Sequence, residues 1–182
     1  MSDSNDALMA KLKAAEGTAE GPTRTCPYPV NEPMIHHWCD AIGDRNPAYL
    51  QPDLARGPRH GGVIAPPTML QAWTMRGLRP PTAEEEAFRA ESGGRKSSLD
   101  ILDEAGFTSV VATNCEQEYF RDLEPGDQLT HEVKVESISP EKKTGLGTGH
   151  FVTQLYEYKD QNGEIVGTMR FRILKFRPPS TD

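Results

Sequence analysis

The stretch PPTMLQAWTMRG, residues 66–77, decides how the rest of the chain must be arranged. Paired prolines suit a helix start, where the first N–H groups have no intrahelical partner anyway, and Gly77 suits a helix end. On that helix Met69, Leu70, Ala72, Trp73 and Met75 point in almost every direction. The spacing therefore predicts a helix buried on most sides rather than one lying on a surface. Something has to surround it.

The C-terminal half supplies the surround. After the turn PGD (125–127), Leu129, His131, Val133 and Val135 alternate with Thr130, Glu132, Lys134 and Glu136, the period of a half-buried strand. FVTQLYEYK (151–159) reads as a second strand. GEIVGTMRFRILKF (163–176) reads as a third, with Met169, Phe171 and Ile173 on one face and Arg170 and Arg172 on the other. Asn162-Gly163 is a tight-hairpin dipeptide between these two, and TNCEQEYF (113–120) is the fourth expected strand. Together these give an α+β architecture, an antiparallel sheet wrapped around a central helix.

Upstream, Asn31 is a good N-cap with Pro33 in the first turn. Met34, Ile35, Trp38 and Ile42 share one helical face, and Gly43 stops the helix. Leu8 to Ala15 carries a thin apolar stripe (Leu8, Met9, Leu12) before a linker from Gly17 to Thr25, and reads equally as a short helix or a frayed tail. Residues 78–100, with the acidic run Glu84 to Glu86, are expected to be a long polar excursion with solvated charges. The organisation is thus an N-terminal tail with room for a short helix (1–25), one folded domain (26–178) and a C-terminal tail (179–182).

With 182 residues, the chain can bury a core without metals or staples. A net charge of −7 argues against a nucleic-acid surface, which needs a clustered basic face. Cys26, Cys39 and Cys115 are an odd count without CxxC spacing, as expected for reduced thiols in a cytoplasmic protein. No window approaches the ~18 to 20 apolar residues of a membrane span, and the acidic N-terminus lacks the apolar core of an export signal.

Few motifs carry chemistry. TGLGTGH (144–150) contains GxGxG, but a strand follows where a phosphate loop needs a helix N-terminus, so it reads as a hairpin loop. His36 and His37 diverge by about 100° on a helix and cannot grip one ion. His60 and His150 read as surface or capping histidines, and no serine sits in a GxSxG elbow. No metal or cofactor is expected. What remains is GDRNPAYLQPD (43–53), where Asp44 stands at a helix-to-loop corner, Asn46 can bond the turn and Pro47 fixes its course. Spacing alone leaves this either a capped turn or the edge of a site.

Four pieces, VNEPMIHHWCDAIGDRNPAYL (30–50), GGVIAPPTMLQAW (61–73), EQEYFRDLEPGDQLTHEVKVESI (116–138) and GEIVGTMRFRILKF (163–176), resemble the MaoC-like, hot-dog-fold enoyl-thioester hydratases and dehydratases, in particular their fatty-acid-synthase-type N-terminal dehydratase domains. The likeness spans roughly residues 28–176. It implies a hot-dog fold that pairs through its sheet, with a thioester tunnel between protomers. It also implies a motif resembling GDxNPxH, whose Asp and His activate water for addition to an α,β-unsaturated thioester. Asp44 fills the Asp position, and Tyr49 stands where the His belongs. A tyrosine, with a pKa of ~10, is a poor base at neutral pH. Active members lend a backbone N–H at the start of the central helix to the thioester oxygen. Here that turn is Ala65-Pro66-Pro67-Thr68, and proline has no N–H.

The resemblance therefore implies the supporting half of a heteromeric enoyl-CoA hydratase, with Asp and His supplied by a homologous MaoC-like subunit. It is strongest to the MaoC-like portion of the larger subunit of actinobacterial steroid enoyl-CoA hydratases. Asn46, Ala65 and Thr68 are the expected acyl-CoA contacts. Two alternatives stand beside it: a self-sufficient homodimer using Asp44 with His60, and a non-enzymatic acyl-CoA binding module.

Overall fold

The computed structural model describes residues 2–55, 61–75, 77–92 and 96–179. Among them, six strands form one antiparallel sheet: β1 (Arg24–Thr25), β2 (Ser109–Tyr119), β3 (Thr130–Ile138), β4 (Lys142–Thr144), β5 (Gly147–Lys159) and β6 (Ile165–Arg177). Their order is β1-β3-β5-β6-β2, with β4 hairpinned onto β5. Six α-helical segments accompany them: α1 (Ser2–Ala15), α2 (Glu32–Ile42), α3 (Pro47–Leu50), α4 (Pro52–Ala55), α5 (Ala83–Glu91) and α6 (Ser98–Glu104).

The alternation read from the sequence sets the two faces of the sheet. Register pairs Val133 with Tyr156 and Val135 with Gln154 across β3 and β5. It pairs Tyr156 with Met169, Gln154 with Phe171 and Val152 with Ile173 across β5 and β6. These side chains form the inner face, because cross-strand partners lie on the same side. The outer face carries the charges, with Lys134 to Glu157 at 3.0 Å, Lys159 to Glu132 at 3.3 Å and Arg170 to Glu136 at 2.7 Å. Such exposed pairs add little stability.

Two apolar clusters cover the inner face. At one end Ile35, Cys39, Met69, Leu70 and Trp73 pack on Tyr158 and Met169. At the other, Leu12 of α1, Leu102 of α6 and Phe107 pack on Val135, Val152 and Ile173. Phe171 touches both. Leu12 is fully buried, and beyond α1 residues 17–20 run beside β3, with Gly17 N–H to Val135 O and Glu20 N–H to Val133 O both at 2.8 Å. Residues 12–25 thus cover part of the inner face and one edge of the sheet.

Several local expectations need correction. The central segment is wrapped by the sheet and Trp73 is buried, yet it is not one helix. It forms two 3₁₀ turns, Pro67–Met69 and Ala72–Thr74. Its bonds are of i→i−3 type, including Met69 N–H to Pro66 O and Thr74 N–H to Gln71 O, and the Thr74 hydroxyl also donates to Gln71 O at 2.8 Å. Prolines at the start and a hydroxyl competing for a carbonyl near the end favour short turns over a continuous ladder.

The polar excursion contains helices α5 and α6, each opened by a capping box, Thr82 with Glu85 and Ser97 with Asp100. Glu84 to Glu86 are the first turn of α5, where negative charge complements the helix dipole, and Glu85 reaches Arg24 at 3.0 Å. Ile42, expected on the apolar face of α2, is 57% exposed. His150, expected at the surface, is fully buried, with Nδ1 2.9 Å from Ser139 O and its ring edge-on to Phe107.

The glycine repeat has a packing cause. A Cβ on Gly149 would lie 2.1 Å from Lys175 O, and one on Gly147, where φ is +134°, would lie 2.0 Å from Arg177 O. These glycines let β5 run hard against β6, and the segment is a hairpin, as expected.

Candidate functional site

The Asp44 loop forms by local chemistry. Asn31 caps α2 by accepting from Met34 N–H at 3.0 Å, and Gly43, with φ of 73°, ends the helix in the left-handed conformation. The chain then turns. The Asp44 carboxylate accepts Asn46 N–H at 2.9 Å, and Asn46 Oδ1 accepts Ala48 N–H at 3.1 Å, starting α3. Asp44 and Asn46 are therefore both occupied in building the turn. Arg45 is drawn outward to Asp40, at 2.8 Å.

Tyr49 rides on α3, half-buried against the cluster that holds Met69 and Trp73. Burial pushes its hydroxyl above the usual phenol range. An Asn46 hydrogen bond pulls the other way, and the carboxylates of Asp44 and Asp122 push further up. The group standing in the His position is thus a neutral phenol at any physiological pH. Cys39, beside Asp44, is likewise raised, by burial first and then by Asp44 and Asp40, so it is an inert thiol.

Three distant segments meet here. Ile64 N–H bonds Ala48 O at 3.1 Å, which ties α3 to the approach of the central segment, and Ala65 N–H bonds Leu123 O at 2.7 Å. Leu123 is itself fixed by a neighbouring clamp that the sequence reading did not anticipate. Arg121 bonds Asp127 at 2.7 Å and Asp160 at 2.9 Å, while Asp127 accepts Glu124 N–H and Asp160 accepts Asn162 and Glu164 N–H. The signal was the charged turn RDLEPGD (121–127), whose partner on the next hairpin only the fold could reveal.

At the turn 65–68, then, Ala65 has already used its N–H, Pro66 and Pro67 have none, and Thr68 lies exposed on the first 3₁₀ turn. The structure brings Asp44, Asn46, Tyr49 and Ala65 into one neighbourhood; His60 lies outside the described residues. His36 and His37 are exposed on α2, and among the described residues no cluster of His, Cys, Asp or Glu could hold a metal ion. A cleft of about 720 Å³ lies elsewhere, between α1, α5 and α6, and neither Asp44 nor Tyr49 borders it.

Residues 21–169 match the family model described as the FAS1-like dehydratase domain region, and the chain belongs to that family, with the hot-dog fold of the MaoC-like dehydratases. Two relatives are hydratase subunits. The chain is 48% identical over 172 residues to a probable enoyl-CoA hydratase alpha subunit of Thermomonospora curvata, covering 94% of this chain and 53% of that one. It is 41% identical over 180 residues to the 3-oxo-4,17-pregnadiene-20-carboxyl-CoA hydratase alpha subunit of Mycobacterium tuberculosis, covering 98% and 53%. The chain spans about half the length of these relatives. Among solved structures, a chain of the ChsH1-ChsH2 complex of M. tuberculosis superposes with a TM-score of 0.77 at 37% identity, over 100% of this chain and 96% of that one.

Proposed function

We propose that this chain is the supporting half of a heteromeric enoyl-CoA hydratase, in which a homologous MaoC-like subunit supplies the Asp and His that add water across an α,β-unsaturated acyl-CoA. The observation that carries this reading is the condition of the turn at 65–68. Its one non-proline N–H ahead of Thr68 is spent on Leu123 O, so at positions 65–67 the thioester oxygen would find no free backbone donor. Tyr49 in the place of a histidine points the same way, since hydration needs a group that exchanges protons near neutral pH.

In this role the chain contributes shape. β2 lies at the edge of the sheet, is eleven residues long and exposes Val110 and Tyr119, so its outer backbone groups are open to a strand from the partner. Two short turns in place of an unbroken central helix would favour a bulky acyl group, and the pregnadiene carboxyl-CoA in the name of one relative motivates a steroid side chain as that group. The cytoplasm is the compartment where acyl-CoA and reduced thiols would coexist.

The test is reconstitution. The purified chain should leave an enoyl-CoA unchanged, and activity should appear when the partner subunit is added. In the complex Asp44→Asn should lower turnover by less than about tenfold, whereas Asn in place of the partner's motif Asp should cost ~10² to 10⁴. Turnover by the chain alone would instead support a homodimer using His60. Tight thioester binding with no turnover under any pairing would support a binding module.

A further inference from the structure

The cleft between α1, α5 and α6, about 720 Å³, is the size of pockets that hold drug-sized ligands, ~300 to 1,000 Å³. It shares no lining residue with the Asp44 loop. Ala14 and Ala15 of α1, Phe88 of α5, Ile101 of α6 and Ala105 just beyond it make its wall apolar. Small side chains on α1 keep the two helices from closing on each other. Four charged side chains border it. Lys96 is paired with Glu104, and Glu20 has both oxygens engaged, by Ser98 N–H at 3.1 Å and Gln154 Nε2 at 3.4 Å. Lys11 is the fourth, and among the described residues it has no acidic partner. Ser98, whose N–H reaches Glu20, is fully buried, with a hydroxyl that meets no hydrogen-bond partner.

From this we infer that the cleft binds a lipid monocarboxylate: an apolar body lying against the alanine, isoleucine and phenylalanine wall, with its carboxylate on Lys11. The charge count sets the class. Among the described residues, one unmatched cation suits a single carboxylate, while the several phosphate charges of an acyl-CoA would meet Glu20 and Glu104 with no further described cation to offset them. An aliphatic chain and a fused-ring acid share this chemistry. This site is independent of the supporting-subunit reading and would stand or fall without it.

The experiment uses the purified full chain and a fluorescent fatty-acid probe displaced by dodecanoate, cholate or dodecanol, each below its micelle concentration. Saturable one-to-one displacement by dodecanoate or cholate is expected, and which of them binds more tightly separates chain from ring system. Ala15→Trp, which fills the cleft, should weaken binding at least tenfold, and Phe88→Ala, which removes one wall, should weaken it as well should the first variant fold poorly. Lys11→Glu should weaken both carboxylates roughly five- to tenfold and leave dodecanol unchanged. Absence of saturable binding, affinity unaltered in both wall variants, equal loss for dodecanol in Lys11→Glu, or displacement by an acyl-CoA as effective as by dodecanoate would each overturn the assignment.

Discussion

Tyr49 shows how far single residues could be read in advance. The Asp44 turn was legible because its bonds run two residues along the chain, from Asp44 to Asn46 and from Asn46 to Ala48. The loss of Ala65 as a donor was not, because it depends on Leu123, which the Arg121 clamp holds against the central segment. It follows that Tyr49→His alone should leave the isolated chain inactive in an enoyl-CoA hydration assay, since a restored base would still face a turn whose residues 65–67 offer no free backbone donor. Measurable turnover in that variant would show that the turn is not limiting. A second residue, His131, makes a pH prediction. Burial first, and then the nearby Arg24, push its pKa down to about 4, and its ring lies beside those of Tyr156 and Tyr158. The folded chain therefore keeps it neutral while the unfolded chain takes up a proton below ~6.5, so stability falls as pH drops from ~6.5 to ~4, by up to ~1.4 kcal/mol per pH unit, and is unaffected above that window. Urea midpoints should show this slope, and His131→Phe should flatten it.

At the level of elements, the long strands were legible because apolar and polar residues alternate through them, and α2 because its cap, its proline and its terminal glycine agree. Helices α5 and α6 were missed although both capping boxes stand in the sequence. Between Leu78 and Asp100 no continuous apolar stripe accompanied them, so charge density dominated the reading. The central segment failed in the opposite direction. Its apolar pattern was right about the burial of Met69, Leu70 and Trp73 and wrong about Met75, which is 71% exposed, and burial on several sides does not distinguish an α-helix from successive 3₁₀ turns. The glycine repeat gives the sharpest test at this scale. Gly149→Ala puts a methyl where Lys175 O already lies, 2.1 Å from the Cβ position, so β5 and β6 must part locally. Thermal unfolding should show a loss of about 1–3 kcal/mol, the usual range for overpacking, whereas Gly163→Ala, with open space around it, should show only the smaller strain of its φ of 83°.

For the whole molecule, we predict association at the β2 edge, which has no strand beyond it among the described residues, either with a second copy or with a larger partner. Light scattering on the isolated chain should report a dimer at tens of micromolar, and Val110→Glu combined with Tyr119→Lys, which place charges along that edge, should shift it to monomer without lowering its melting temperature. The division of the core into two clusters reaches further. They share one sheet, but between them sits Gln154, whose amide spends its hydrogen bonds on Glu20 and on the Tyr156 hydroxyl, leaving Phe171 as the apolar side chain that, among the described residues, touches both. The cover formed by α1 and α6 can then lift without disturbing the packing around Trp73. In deuterium oxide, amides of α1 and α6 should exchange through openings far less costly than global unfolding, while those of β5 and β6 near Met169 should wait for the entire domain to come apart. A single polar side chain in mid-sheet thus acts as a seam, and the domain should open as two units of unequal protection.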